Sequence, residues 1–431
     1  MITAAMYNQY LEALRRPFKK ISKLEFLQPD DTVAFAIDSN SIKKMVGKYD
    51  TRAFLQSGSL NVSFQNGTRR TATINLSNLD DNFSYNVNKV WFGQKVRLSM
   101  GLVLPSGESF YLPQGIFYIK NPKAKFSPTE RSVSYNLVDK WAYLDGSLFG
   151  KLRDSYSVLQ DNSENTLFGA IRTLLRYSKR NMNAETADKL DMVDSIDPIF
   201  TQYYNGKTYQ LSDGSYVPMT SIPFDVVIGA DNASIANIIL ELAEIVSGIV
   251  GYDRTGTFRF DATQTDVEDS SKPSLWSFDP TNSVLLSFEE TMKNADVYNN
   301  VLIVGEGAAD KYIYGEASNY DPSSDTNINL IGKRTFKESK ANYWTQTQCD
   351  DLAAYYLKRK TILQKSITIS CNQMFHLEEN GIVSIVRTDK PNSPVERHLI
   401  QSFSLPIGET GQMSINATSV FDIPKLNITM N

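Results

Sequence analysis

Cysteine and histidine are nearly missing from this chain. Its 431 residues include only Cys349 and Cys371, 22 positions apart, with no CxxC pair and no disulfide framework. Two buried free thiols are expected. The only histidines are His376 and His398, which excludes a histidine-rich metal cluster and leaves just these two for any Ser-His-Asp system. His376 lies in NQMFHLEENG and His398 in RHLIQSF, with no nucleophile elbow or HExxH pattern beside either. Both are expected to be packed or surface imidazoles.

Other absences narrow the function further. No run approaches the ~18 consecutive apolar residues of a membrane span, and MITAAMYNQYLEALRRPFKK lacks the apolar core of a secretory signal. No membrane span is expected, and the chain reads as made and kept soluble in a cytoplasm. The formal net charge of −4 provides no basic footprint, so sequence-specific nucleic-acid binding is not expected. The glycines of GEGAADKYIYG precede no GK[ST] and form no phosphate loop. With 41% apolar and 21% charged residues, the composition is that of a globular protein of two to four domains.

What the chain does have is an internal echo. Lys95 to Asp145, KVRLSMGLVLPSGESFYLPQGIFYIKNPKAKFSPTERSVSYNLVDKWAYLD, is answered by Ser366 to Val420, SITISCNQMFHLEENGIVSIVRTDKPNSPVERHLIQSFSLPIGETGQMSINATSV. Both contain a glycine-led strand, a hairpin and closing strands of alternating polarity. Each reads as half of a small β-barrel. A chain with two such regions and few reactive residues is expected to be a structural part of an assembly, not an enzyme.

The remaining segments fill in this plan. Residues 2 to 16 place Ile2, Met6, Tyr10, Leu11 and Leu14 at helical spacing, with Arg15, Arg16, Lys19 and Lys20 near the end, where a helix dipole favours cations. This short amphipathic helix is expected to brace an interface. From Ile21 the period becomes two. Leu60, Val62 and Phe64, then Ala72, Ile74 and Leu76, flank Asn66-Gly67, a strong hairpin signal because both turn residues tolerate positive φ. Val96, Leu98, Met100, Leu102 and Leu104 alternate, as do Val133, Tyr135 and Leu137. Helices are expected over Glu164 to Arg180, Asn232 to Val250 and Thr345 to Lys360, with GYDRTGTFRFDA forming a turn and a strand. The fold class is therefore mainly β with an α+β insertion: two tube-like β-barrel domains plus a middle α/β region. The boundaries expected are 1–146 for the first barrel with its N-terminal helix, 147–283 for the middle domain, 284–421 for the second barrel with its helix, and 422–431 for a tail.

No catalytic, cofactor-binding or metal residue is assigned. The adjacent acids Glu289-Glu290 and Asp350-Asp351 fit solvated faces or helix starts better than a glycosidase pair. DPSSDTN, with Asp321 and Asp325, lacks the glycine and final Glu of a calcium loop. The tyrosine-rich segment Tyr203 to Tyr216 is the one candidate for a sugar-stacking surface, but a surface loop or hairpin whose tyrosines pack against a neighbouring subunit is the simpler reading, and no site is assigned there.

WFGQKVRLSMGLVLPSGESFYLPQGIFYIKNP followed by VSYNLVDKWAYLDGSLFGKL, the helix-turn-strand IILELAEIVSGIVGYDRTGTFRF, NNVLIVGEG, and DLAAYYLKRKT together resemble phage tail-tip and baseplate hub proteins, the N-terminal hub region of tail-associated lysin-like proteins. The resemblance implies a homotrimer whose two barrels per chain make a pseudo-sixfold ring. That ring joins a sixfold tail tube or distal tail protein to a threefold tip, spike or fibre, with the tape measure protein as a further partner, and lines the DNA exit. Relatives with a lytic domain carry it beyond the second barrel, where this sequence has only the short tail to Asn431. Wall-degrading activity is therefore expected to reside in another protein. Two other readings stay open: a glycan-binding or wall-degrading tip protein, and the hub of a phage-derived contractile bacteriocin.

Overall fold

The computed structural model describes residues 2–28, 31–39, 45–46, 49–50, 55–78, 83, 93–128, 131–148, 156–157, 167–180, 195–196, 208–210, 216–218, 227–228, 234–245, 248–262, 267, 270–279, 284–292, 297–306, 312–340, 343, 346–361, 365–387, 395–408 and 411–419. The chain opens with helix α1 (Ala4–Ala13), strands β1 (Lys20–Leu27) and β2 (Val33–Asp38), and a small ribbon, β3 (Met45–Val46) with β4 (Tyr49–Asp50). Five long strands follow: β5 (Leu55–Ser63), β6 (Arg70–Ser77), β7 (Lys95–Val103), β8 (Ser109–Phe126) and β9 (Arg131–Asp139), closed by helix α2 (Trp141–Leu144). The middle contains β10 (Tyr156–Ser157), α3 (Leu167–Arg180), β11 (Ser195–Ile196), β12 (Thr208–Gln210), β13 (Tyr216–Pro218), β14 (Val227–Ile228), α4 (Ile235–Ile245), β15 (Ile249–Tyr252) and β16 (Phe258–Asp261). Next come β17 (Trp276–Phe278), β18 (Leu285–Met292), β19 (Asn300–Glu306), β20 (Tyr312–Ser318), α5 (Ile328–Ile331), β21 (Thr335–Lys340) and α6 (Gln346–Lys360). The chain ends in β22 (Lys365–Cys371), β23 (Ile382–Val386), β24 (Val395–Ile407) and β25 (Met413–Ser419).

The fold is mainly β with a minor helical share, as expected. Its organising feature is a single large sheet that runs through both β regions in the order β18-β22-β25-β24-β5-β6-β9-β8-β7-β1-β2, with β23 beside β24 and β17 beside β23. Each region has the same internal order. In the first it is β5-β6-β9-β8-β7-β1, and in the second β18-β22-β25-β24-β23-β17. All corresponding pairs are antiparallel except the last, where β7 and β1 are antiparallel and β17 and β23 parallel. Even an irregularity recurs: the register slips between Leu55 and Ser57 in β5 and between Leu285 and Ser287 in β18. The sequence echo is thus a repeat of topology.

Alternation produces this sheet. In β6 every second residue is buried, and Ala72, Ile74 and Leu76 join one core with Leu60, Val62, Val133, Tyr135, Leu137, Ile367, Ile369, Phe403, Leu405 and Ile415. The β5–β6 hairpin turns at Asn66-Gly67 as expected, with Gly67 at φ +89. Its tip docks on the middle region, because the Gly67 N–H donates to the Val250 carbonyl and the Val250 N–H to Asn66 Oδ1.

The helices start close to their expected positions, but α4 ends at Ile245, short of the expected Val250, because Ile249–Tyr252 pair with Phe258–Asp261 as strand β15. α3 and α4 begin at Leu167 and Ile235, and α6 begins at Gln346. β19, β20 and β21 form their own three-stranded sheet, with α6 packed on it around Val301, Ile303, Tyr343, Cys349, Leu352 and Ala353. Gly315 lets the helix approach: a Cβ there would lie 2.3 Å from the Cys349 backbone. This unit sits between β18 and β22, the positions that a tight hairpin joins in the first region.

Candidate functional site: a neutral polar sheet face and the joint beneath it

A half-buried antiparallel sheet presents one face to its core and the other to its surroundings. On the outward face here, β5 carries Ser57, Ser59, Asn61 and Ser63, and β6 carries Thr71, Thr73, Asn75 and Ser77. Ser132, Ser134 and Asn136 of β9 stand in register beside them. The second region continues the same face with Ser366, Thr368 and Ser370 of β22, Ser402 and Ser404 of β24, and Ser414 and Asn416 of β25. The side chains bond to one another across strands: Asn75 Nδ2 to Ser57 Oγ at 3.1 Å, Thr368 Oγ1 to Asn416 Oδ1 at 3.1 Å, and Asn416 Nδ2 to Ser402 Oγ at 3.1 Å. The side chains at these positions are short and neutral, and charge enters the face only from the strands that flank them: Lys120, Lys123 and Lys125 of β8 lie opposite Asn136, Ser134 and Ser132, and Glu289 of β18 lies opposite Thr368. A shallow groove runs along it where Asn61, Ser63 and Thr71 meet Ser402, Ser404 and Asn416.

The joint that makes this face continuous is the pairing of β24 with β5. Ser402 lies opposite Ser63, Ser404 opposite Asn61, Leu405 opposite Leu60 and Ile407 opposite Gly58. β24 is long enough to serve two neighbours along one edge, since Val395 to Leu399 pair with β23 and Ser402 to Ile407 with β5.

Buried polar ties lock the joint. Arg70, 2% exposed in its side chain, contacts Glu379 at 2.5 Å and donates to the Gln114 carbonyl, while Gln114 Nε2 donates to the Phe375 carbonyl at 2.8 Å. Arg69 binds Asp261 at 2.6 Å and the Ile249 carbonyl at 2.9 Å, fixing the middle region to the hairpin. Asp139 accepts the N–H groups of Arg69, Arg70 and Trp141 at 2.8, 2.9 and 3.1 Å. Burial pushes its carboxyl up to about 6 against the pull of those donors. Arg254 reaches the Pro113, Phe375 and His376 carbonyls and Glu378.

The N-terminal helix braces the same joint. The Phe375 N–H donates to the Tyr10 hydroxyl at 2.9 Å, that hydroxyl lies 2.9 Å from His376 Nδ1, and His376 Nε2 lies 3.2 Å from the Leu275 carbonyl. This chain of donors assigns His376 a neutral ring with its proton on Nε2. Burial, opposed by the Leu275 carbonyl and aided by the Arg254 charge, lowers its pKa to about 4. The interface that α1 was expected to brace thus includes one inside its own chain.

The other residues weighed in the sequence fall elsewhere. Cys349 and Cys371 are buried free thiols, as expected, pushed up by burial to about 11 and about 12. His398 is buried at 1% exposure. Asp321 caps its own turn, accepting from the Ser323 N–H and hydroxyl. Among the described residues no group of three or more His, Cys, Asp or Glu is placed to hold a metal. Of the tyrosine-rich segment, only Thr208–Gln210 and Tyr216–Pro218 are described, as a two-stranded ribbon; the rest lies outside the described residues. No helix among the described residues is long and apolar enough to cross a membrane.

No family model matches this chain, and no curated protein matches it in sequence. Solved structures do match its fold. The tail protein from Neisseria meningitidis MC58 superposes with a TM-score of 0.57 at 9% identity, over 93% of this chain and 97% of that one. The fold is that of a phage tail protein. The 43 kDa tail protein of prophage MuSo2 from Shewanella oneidensis is similar as well, with a TM-score of 0.50 at 10% identity, over 92% of this chain and 97% of that one. At such identities the likeness is one of fold, and it extends over both β regions and the middle between them.

Proposed function

We propose that this protein is a non-enzymatic structural hub of a phage tail tip or baseplate, acting as a homotrimer. The observation that carries this reading is the repeat: one strand order occurs twice and is joined edge to edge within the chain. Two similar units per chain, taken three times, make a pseudo-sixfold ring, and such a ring matches a sixfold tail tube or distal tail protein on one side and a threefold tip, spike or fibre on the other. A heterologous contact closes into a ring when successive units present equivalent edges. The Ser/Thr/Asn strands at the middle of the face suit a channel that passes DNA, because lysines and arginines there would bind phosphates and slow the genome; the lysines of β8 stand at the margin of this face, on the edge strand segment beyond Ile119. The tape measure protein is the expected occupant of that channel before release. Domain limits of 1–146, 147–283 and 284–421, with a tail over 422–431, belong to the same proposal, as does a place in the virion tail after assembly in the host cytoplasm.

Light scattering on the purified protein tests the reading. A mass near three times 48.5 kDa is expected. A monomer that also fails to assemble on tail tubes would overturn it and send attention to wall-glycan binding.

A further inference from the structure

The repeat leaves one joint unmade, and the two edges that would make it are both in this chain. β8 is the counterpart of β24: Ile119 faces Leu137 as Ile400 faces Ala417, and Lys123 faces Ser134 as Ser404 faces Ser414. Like β24, it changes neighbours along its length. β7 pairs with it only as far as Tyr118, and beyond Ile119, among the described residues, no strand lies along the edge away from β9. β18 is the counterpart of β5 by its shared register slip, and it is an end strand with β22 as its one described neighbour. Within the chain, the β24 position pairs with the β5 position. The equivalent pairing of β8 with β18 is absent.

We propose, resting on the ring reading above, that β8 of one copy pairs with β18 of the next, in the register of the internal joint. In that joint Ser404 faces Asn61, Pro406 faces Ser59 and Ile407 faces Gly58. Carried over strand by strand, Lys123 faces Thr291, Lys125 faces Glu289 and Phe126 faces Phe288.

The chemistry at these positions fits. Lys125 lies opposite Ser132, and Glu289 opposite Thr368, so both occupy the polar face and meet there as opposite charges. Phe126 is 74% exposed, an aromatic ring at an open edge, and Phe288 would cover it on the apolar side. The edges also reject copies of themselves, since β8 on β8 would set Lys120, Lys123 and Lys125 against like charges and β18 on β18 would do the same with Glu289 and Glu290. Like charges directly opposite destabilise a strand pair, whereas opposite charges stabilise it. The partner of each edge is therefore the other edge on a second copy of this chain.

Cysteine cross-linking of the full-length protein tests the register. The double variant Lys125→Cys with Glu289→Cys should form disulfides between chains and yield covalent species of up to three chains, whereas neither single variant should. Ser59→Cys with Pro406→Cys, the corresponding pair of the internal joint, should close within one chain and serves as the geometric control. Glu289→Lys should weaken assembly about tenfold or more, and adding Lys125→Glu should restore it. A wild-type trimer that gives no cross-link and tolerates Glu289→Lys would overturn this pairing and leave the trimer standing. A wild type that remains monomeric and gives no cross-link would sink both.

Discussion

The two β regions share one strand order but spend it differently. The first joins its opening strands, β5 and β6, by the tight Asn66-Gly67 hairpin, while the second opens the same connection to admit the β19-β20-β21 sheet and α6. The first offers β5 to a neighbour inside the chain, while the second leaves the equivalent β18 at the end of the sheet. Residues at matching positions follow this difference. Leu60 in β5 is fully buried beneath the joint, and its counterpart in β18 is Glu290, bound to Arg387 at 3.0 Å. A strand covered within its own chain can be apolar throughout its inner face; one that waits for a partner carries charge that keeps it soluble and selective.

Breaking the tie between the regions should have the largest effect. Arg70→Ala leaves Glu379 buried without its cation, and loss of one member of a buried pair costs about 3–5 kcal/mol. Chemical denaturation should show that drop, together with separation of the unfolding of the two regions; a loss under about 1 kcal/mol would mean the joint stands on strand pairing alone.

A pH titration of stability sharpens the comparison next. The folded pKa of His376 lies near 4, below its unfolded value of about 6.5. The unfolded chain therefore binds the proton first as pH falls. Stability from this site is complete above pH 6.5 and is lost between 6.5 and 4, by about 3 kcal/mol. Asp139, raised to about 6, contributes with the opposite sign over an overlapping range, because its folded form holds a proton the unfolded chain has released. The informative quantity is the difference between wild type and His376→Gln, which should shrink as the pH is lowered from 6.5 to 4. A difference that stays constant would remove α1 and His376 from the joint's energetics.

The smallest effect on stability should come from the polar face. Asn61→Lys with Asn416→Lys places two cations on opposite sides of the internal joint at exposed positions, where substitutions usually change stability by less than about 0.5 kcal/mol. Assembly should persist while DNA release from particles slows. Unchanged release kinetics would mean that the face does not line the channel.

Much of this architecture was legible in local pattern. Alternation in TATINLS marked a half-buried strand, Asn66-Gly67 marked its hairpin, and the spacing of Leu352, Tyr356 and Leu357 marked the packed helix. These signals are readable because period and turn chemistry are properties of neighbouring residues. The candidate site is half-visible in the sequence: alternation identifies the apolar members of each strand, whereas the serines, threonines and asparagines between them carry no local signal that sets them apart from any solvent-side residue. Their significance emerges only when six strands from both ends of the chain bring them onto one face.

By itself the sequence determined that this protein has two related β regions around a helical middle, with little reactive chemistry. Alternation and internal similarity carry that information locally. Only the tertiary structure decided that the regions share one sheet through β24 and β5, that Arg70 finds Glu379 and Tyr10 finds His376, and that one equivalent edge pair remains open. A strand's alternation specifies two faces but no neighbour, and the neighbour is chosen by long-range register and burial.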